Sequence, residues 1–183
     1  MIVEKAFAKI NIGLNIVNKR DDGYHNIDTI MQTISLHDIV KLTKSEHGIR
    51  IFCDNPHIPV NNSNTAFRAA ELFSSKMGIK FKGVDIHIKK NIPSEAGLGG
   101  GSSDAAAVLR SLNKLFCTGY GTEELIKLAS EIGSDVPFLV EGGTMRITGR
   151  GEIMEKLTNF NGVDVIIVMP REKVSTKEAY SLF

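Results

Sequence analysis

An α+β fold, strands packed against helices, is expected for this chain, and three features call for it. Residues 6–17 alternate between apolar and polar with period two, the pattern of a half-buried strand. A glycine-rich stretch, Pro93 to Ser103, runs straight into a segment whose Val108, Leu109, Leu112, Leu115 and Phe116 recur at helical spacing. Further strand-like and helix-like segments follow along 183 residues, and a hydrophobic fraction of 42% is enough for a core.

In the first strand Ala6, Ala8, Ile10, Ile12, Leu14 and Ile16 share one face. Lys9, Asn11, Gly13 and Asn15 share the other, so Lys9 and Asn11 point the same way. Two readings stay open: the solvated face of an edge strand, or a polar pair beside a glycine that lets something approach. Asn18 to Gly23 is a turn by its chemistry. Tyr24 and His25 follow it, either as a ring and an imidazole that hold a base or as a strand-edge aromatic with a solvated histidine. Ile30, Ile34 and Leu36 open a second strand reaching about Leu42, and Ile49 to Phe52 a short third.

Ser63 or Asn64 caps a helix through about Met77, which Gly78 ends. Val84, Ile86 and Ile88 alternate as a strand. Lys89 and Lys90 at its end are either solvated or a source of positive potential beside the glycines. In the glycine stretch Ser102 and Ser103 are N-cap candidates, and Asp104 suits a first helical turn. A helix start carries unpaired N–H groups, and glycines ahead of it let a phosphate reach them. The stretch reads as a phosphate cradle or as a plain capped loop. It is not a Walker loop, since no lysine follows the glycines. It is not a dinucleotide-binding turn, since it lies in mid-chain and ends in Ser-Ser-Asp.

Thr122 is the expected cap of a further helix, with Leu125, Leu128, Ala129 and Ile132 on its inner face. Gly133 to Phe138 ends it. Asp135 then sits in a turn between that helix and an apolar strand, where aspartate ordinarily satisfies local N–H groups. Leu139–Val140 and Thr144–Ile147 read as strand, and Gly149 to Glu152 as a hairpin turn. Val163 to Met169 is a nearly unbroken apolar run, the pattern of a buried strand.

The formal net charge is +1 and the basic residues are dispersed, which points to no nucleic-acid or membrane-surface partner. Cys53 and Cys117 read as free thiols in a reducing compartment. The histidines at 25, 37, 47, 57 and 87 form no metal-binding spacing, and no metal ligand set is expected. Neither a signal peptide nor a run of membrane-spanning length is present, so a soluble cytoplasmic protein is expected. Nothing sets the oligomeric state.

The stretch Pro93-Ser94-Glu95-Ala96-Gly97-Leu98-Gly99-Gly100-Gly101-Ser102-Ser103 resembles the phosphate motif of the galactokinase, homoserine, mevalonate and phosphomevalonate (GHMP) kinase superfamily. Four further segments narrow the resemblance. They are Ala8 to Leu14, Lys19 to His25 with Met31-Gln32-Thr33, Gly133 to Phe138, and Val174 to Tyr180. Together they are similar to the kinases of that superfamily acting on 4-diphosphocytidyl-2-C-methyl-D-erythritol. The resemblance implies a fold like ribosomal protein S5 domain 2. It also implies ATP as co-substrate with Mg2+, and a small-molecule substrate carrying cytidine diphosphate.

By the same resemblance Asp135 is the catalytic carboxylate that takes or orients the hydroxyl proton, and Lys9 its cationic partner. Asn11 lies near the substrate. Tyr24 and His25 hold the cytosine, and Thr176 and Tyr180 form the far wall of that pocket. Pro93 and Gly97, Leu98, Gly99, Gly100, Gly101, Ser102 and Ser103 form the triphosphate loop. Asn64 lines the adenine pocket, and Ser103 lies nearest the Mg2+. Residues 1–160 are the expected N-terminal domain and 161–183 the start of a second domain, whose remaining part, with a third glycine-rich motif, the chain lacks. An apolar face is then left uncovered, which favours self-association. The rival readings are another kinase of the superfamily, mevalonate- or homoserine-kinase-like, and a non-catalytic S5-like binding module.

Overall fold

The computed structural model describes residues 1–23, 25–76, 78 and 81–169. Ten elements follow one another: β1 (Ile2–Lys19), β2 (His25–Lys44), β3 (Gly48–Cys53), α1 (Thr65–Lys76), β4 (Gly83–Lys89), α2 (Gly100–Leu115), α3 (Thr122–Ser130), α4 (Val136–Glu141), β5 (Thr144–Gly149) and β6 (Ile153–Lys156). This is the expected α+β architecture. The strands form one six-stranded sheet, and its spine is β2. β1 pairs antiparallel with β2 along one edge. On the other edge β4 pairs with Ile39–Lys44 and β5 with Ile27–Gln32. β3 lies parallel to β4 and β6 antiparallel to β5.

The core lies between the sheet and the helices. Met31, Val40, Leu42, Ile51, Val84, Ile86, Met145 and Ile147 face Ala66, Ala69, Ala70 and Phe73 of α1 and Ala105 to Leu109 and Leu112 of α2. The alanines let the two helices and the sheet approach closely. The opposite face of the sheet carries Lys41, Arg50, Phe52 and His87, all exposed. Cys53 and Cys117 are free thiols.

Several boundaries differ from expectation. β1 and β2 extend well beyond residues 6–17 and 30–42 because each supplies the other's ladder. The alternation in β1 does not stay buried: Ile12 is 49% and Leu14 47% exposed. Register shifts between Phe7 and Lys9, between Asn11 and Gly13 and between Ile16 and Asn18 break the period, and the hairpin runs out past the helices.

α2 begins at Gly100 with Gly99 as its N-cap in the left-handed region, so Ser102 and Ser103 lie inside the helix. Glycine reaches that conformation without a steric penalty, which places the cap ahead of the serines. Gly121, not Thr122, caps α3, and its N–H is answered by Glu124. Leu139 and Val140 belong to α4, a helix too short to show a period in the sequence. Val163 to Met169 is not a buried strand. Val163, Val165, Ile166, Ile167, Val168 and Met169 are all exposed, because no element among the described residues covers them.

β4 begins where Gly83 lies flat against Gly48. A Cβ at position 83 would fall 2.4 Å from the Gly48 carbonyl oxygen, a backbone atom that cannot step aside. Gly83→Ala is expected to lower stability by about 1–3 kcal/mol, read as a shift in the urea midpoint with an unchanged slope.

Candidate active site

The glycine stretch folds into a loop laid across the edge of β1. The Lys9 N–H donates to the Leu98 carbonyl at 3.0 Å, which fixes the loop to the strand. Gly97 (φ 72°) and Gly99 (φ 71°) are both left-handed. A Cβ on Gly99 would come within 3.1 Å of the Lys9 side chain, so here the glycine is needed for space as well as for conformation. The Ser103 hydroxyl lies 2.7 Å from the Phe7 carbonyl oxygen and 2.9 Å from that of Gly99, and shares its proton between them. Ser103 N–H makes the first helical bond, to Gly99 O. The N–H groups of Gly100, Gly101 and Ser102 precede that bond, and they give this end of α2 its anion-attracting character.

Lys9 passes beside this helix start and is 8% exposed. Its Nζ donates to Asn11 Oδ1 at 2.7 Å and lies 3.5 Å from Asp135 Oδ2. Asn11 Nδ2 donates to the Thr29 hydroxyl, which donates to the Gly13 carbonyl. The polar-face reading of Lys9 and Asn11 therefore holds, and a solvated edge does not.

Asp135 is the N-cap residue of α4 rather than a turn before a strand, yet its carboxylate makes no capping bond. That carboxylate is 30% exposed and faces Lys9. Two ties hold α4 in place. Arg110 of α2 donates to the Leu139 carbonyl at 2.7 Å and to that of Lys5 at 3.2 Å. Burial presses the Arg110 guanidinium below its ordinary pKa, against the opposing pull of Glu4. After α4, Thr33 N–H donates to the Gly143 carbonyl, and Gly143 N–H donates back to the Thr33 hydroxyl. The Thr144 hydroxyl donates to Gln32 Oε1.

The other predicted positions divide. Leu98 is buried in the loop between Gly97 and Gly99, Gly100, Gly101 and Ser102 open α2, and Pro93 is half-buried ahead of them in the chain. Asn64 caps α1: its Oδ1 accepts from Ala66 N–H and its Nδ2 donates to Pro59 O. Next to it the Thr65 hydroxyl donates to Gly101 O, so this corner buttresses the loop. Ser103 is 1% exposed. His25 starts β2 opposite Lys19, at the far end of the hairpin from Lys9. Tyr24, Thr176 and Tyr180 lie outside the described residues. Among those residues no three histidine, cysteine or acidic side chains gather as a metal site.

Beneath the loop is a buried charge cluster that the sequence reading missed. Lys90 is neither solvated nor free: its ammonium is bonded to Asp38 and, at 2.7 Å, to Asp104. Asp38 Oδ1 also accepts the N–H groups of Asn91 and Ile92. Asp104 is not at a solvated first turn. It is 3% exposed, and burial pushes its carboxyl up to about 7 against the pull of Lys90. Burial alone would lower the Lys90 pKa, but Asp104 and Asp38 outweigh it and raise it. The signal for Asp104 was its place on the same helical face as Val108, Ser111 and Leu112.

Residues 64–143 match the family described as GHMP kinases N terminal domain. Those residues have the fold of a GHMP kinase N-terminal domain, with the glycine loop at the start of α2. The particular relatives are named 4-diphosphocytidyl-2-C-methyl-D-erythritol kinase. That of Clostridium botulinum (strain Alaska E43 / Type E3) is 47% identical over 98% of this chain and 64% of the relative. That of Caldicellulosiruptor saccharolyticus is 49% identical over 98% of this chain and 62% of the relative. The chain thus spans about 64% of the length of the first of these relatives. A crystal structure of 4-(cytidine 5'-diphospho)-2C-methyl-D-erythritol kinase superposes with a TM-score of 0.73 at 37% identity, covering 85% of this chain and 55% of that one. The Methanococcus jannaschii mevalonate kinase superposes at 0.67 with 16% identity over 86% of this chain and 56% of that one, a likeness of fold alone.

Lys90→Met would leave two buried carboxylates without their cation, at an expected cost of about 3–5 kcal/mol at pH 8. The loss is expected to shrink at pH 5. There Asp104, whose folded pKa lies above its ordinary 3.8, takes up a proton and one buried charge disappears. Urea denaturation at the two pH values measures both.

Proposed function

We propose that this chain is the nucleotide- and substrate-binding part of an ATP-dependent kinase acting on the 2-hydroxyl of 4-diphosphocytidyl-2-C-methyl-D-erythritol, in the non-mevalonate route to isoprenoid precursors. The observation that carries this reading is Lys9 Nζ, 3.5 Å from Asp135 Oδ2, beside a glycine-loop helix start. Phosphoryl transfer asks a protein mainly to position the reactants and balance charge. The α2 N–H groups and the loop receive the triphosphate. Asp135 accepts the proton of the substrate hydroxyl, or holds it in line, with its carboxylate free of capping duty. Lys9 balances the charge that develops on the transferring group, and Asn11 and Thr29 hold Lys9 in register.

Mg2+ bound with the triphosphate on the glycine loop would neutralise charge on its oxygens. Mg2+ characteristically keeps several of its waters when it binds with a nucleotide. His25, with Tyr24, Thr176 and Tyr180, is assigned the cytosine end, so the substrate lies along the β1–β2 hairpin. Residues 161–183 are assigned to the opening of a second domain, and the enzyme is assigned to the cytoplasm.

Asp135→Asn is expected to lower kcat by about 10²–10⁴-fold with nucleotide affinity retained. Turnover is measured with ATP, Mg2+ and the cytidine diphosphate substrate, in the protein containing this chain. Undiminished turnover in that variant would overturn the assignment of Asp135. Gly97→Ala and Gly99→Ala are both expected to cost about 1–2 kcal/mol of stability, since both glycines have positive φ. Only Gly99→Ala, whose Cβ meets the Lys9 side chain, is expected to lower kcat as well.

A further inference from the structure

Asp135 and Lys9 stand on different elements, and their side chains meet at 3.5 Å. Those elements are joined elsewhere, by a side chain that touches neither of the pair. The Arg110 guanidinium, half-buried on α2, reaches both elements at once. Its Nη1 donates to the Leu139 carbonyl at 2.7 Å and to that of Val140 at 3.4 Å, at the end of α4 opposite Asp135. Its Nη2 donates to the Lys5 carbonyl at 3.2 Å, on the strand that carries Lys9. Its Nε lies 3.5 Å from one Glu4 carboxylate oxygen, and Lys114 is bonded to the other.

We propose that Arg110 is a positioning residue for phosphoryl transfer: by tying the last carbonyls of α4 to the backbone of β1, its guanidinium sets where the Asp135 carboxylate stands beside Lys9. This rests on the reading of Asp135 and Lys9 as the catalytic pair.

The backbone shows why a side chain is needed there. α4 runs only from Val136 to Glu141, and a helix end leaves its last carbonyls unpaired. The Gly142 N–H turns back on the Phe138 carbonyl. The Gly143 N–H, which a continuing helix would give to Leu139, goes to the Thr33 hydroxyl instead. Arg110 supplies the donor that Leu139 lacks. On the strand side, Lys5 lies along the edge of β1 on which Ser103 bonds the Phe7 carbonyl and Leu98 accepts the Lys9 N–H. Those two bonds seat the glycine loop without Arg110. About two turns further along α2, Arg110 seats α4 on the same edge. Val136 to Val140 are buried, but apolar burial has no direction and does not fix where the short helix stops. A planar fork of donors engages both elements together, which a single ammonium on a flexible stem does not.

The test is steady-state turnover with ATP, Mg2+ and the cytidine diphosphate substrate, in the protein containing this chain. Wild type, Arg110→Met, Asp135→Asn and the double variant are compared at a temperature where circular dichroism shows each one folded. Arg110→Met keeps an apolar stem and removes the fork. It is expected to lower kcat about 100-fold, the scale of an ångström's misplacement of a reacting group, with KM for ATP within about threefold. In the Asp135→Asn background the same substitution is expected to lower kcat by less than about threefold, because the group it positions is gone. A role in stability alone would lower kcat by one factor in both backgrounds. Should Arg110→Met not fold, Arg110→Lys takes its place in the cycle, with a loss of kcat and the same non-additivity expected. An unchanged kcat in the single variant, equal factors in the two backgrounds, or a loss confined to KM for ATP overturns this inference alone. A wild-type protein that does not phosphorylate the substrate, or an Asp135→Asn protein with full turnover, overturns the reading of the pair, and this inference with it.

Discussion

Everything at this site depends on how α2 begins. The helix start is pinned to β1 by two bonds, Lys9 N–H to Leu98 O and the Ser103 hydroxyl to Phe7 O. Both partners on the strand side are backbone groups of an edge that would otherwise be open. The loop therefore completes the sheet edge and presents the unpaired helical N–H groups in the same stroke. A Cβ at position 99 would stand 3.1 Å from the Lys9 side chain, which would have to give by a few tenths of an ångström, and the left-handed φ disfavours any side chain there.

Two enclosed lysines flank that helix start, Lys9 on the β1 side and Lys90 at the end of β4. A buried ammonium without a partner is costly, so each is matched to carboxylate. The two matches differ. Asp135 is partly exposed, whereas Asp38 and Asp104 are enclosed and keep Lys90 in place. One pair is open to solvent and the other is closed from it, so the difference lies in solvent access rather than in residue type.

The sequence showed the glycine loop, Lys9 and Asn11 plainly, because glycine runs and period-two alternation are local signals. It showed Asp135 as a residue but not its surroundings. Its partner lies far along the chain, and α4 is too short for its period to register. Leu139 and Val140 look like strand for the same reason. Val163 to Met169 looks buried because a continuous apolar run says only that a covering layer would suit it, not that one is present. Asp104 was hidden by its neighbours: an aspartate after two serines reads as a helix-start residue until the helix is seen to begin four residues earlier, at Gly100.

The use of one long strand as spine has a consequence for how the site comes together. β1 and β2 are joined by a short turn, so Lys9, Asn11 and Thr29 meet through contacts that are local in the chain. Asp135 joins them from far along the chain, on α4, which Arg110 of α2 holds and from which β5 runs onto β2. Closing that long span costs chain entropy, and non-local pairings of this kind are slow to form. The two halves of the site thus differ in contact range: the cationic half is built into a hairpin, and the carboxylate half depends on contacts distant in sequence.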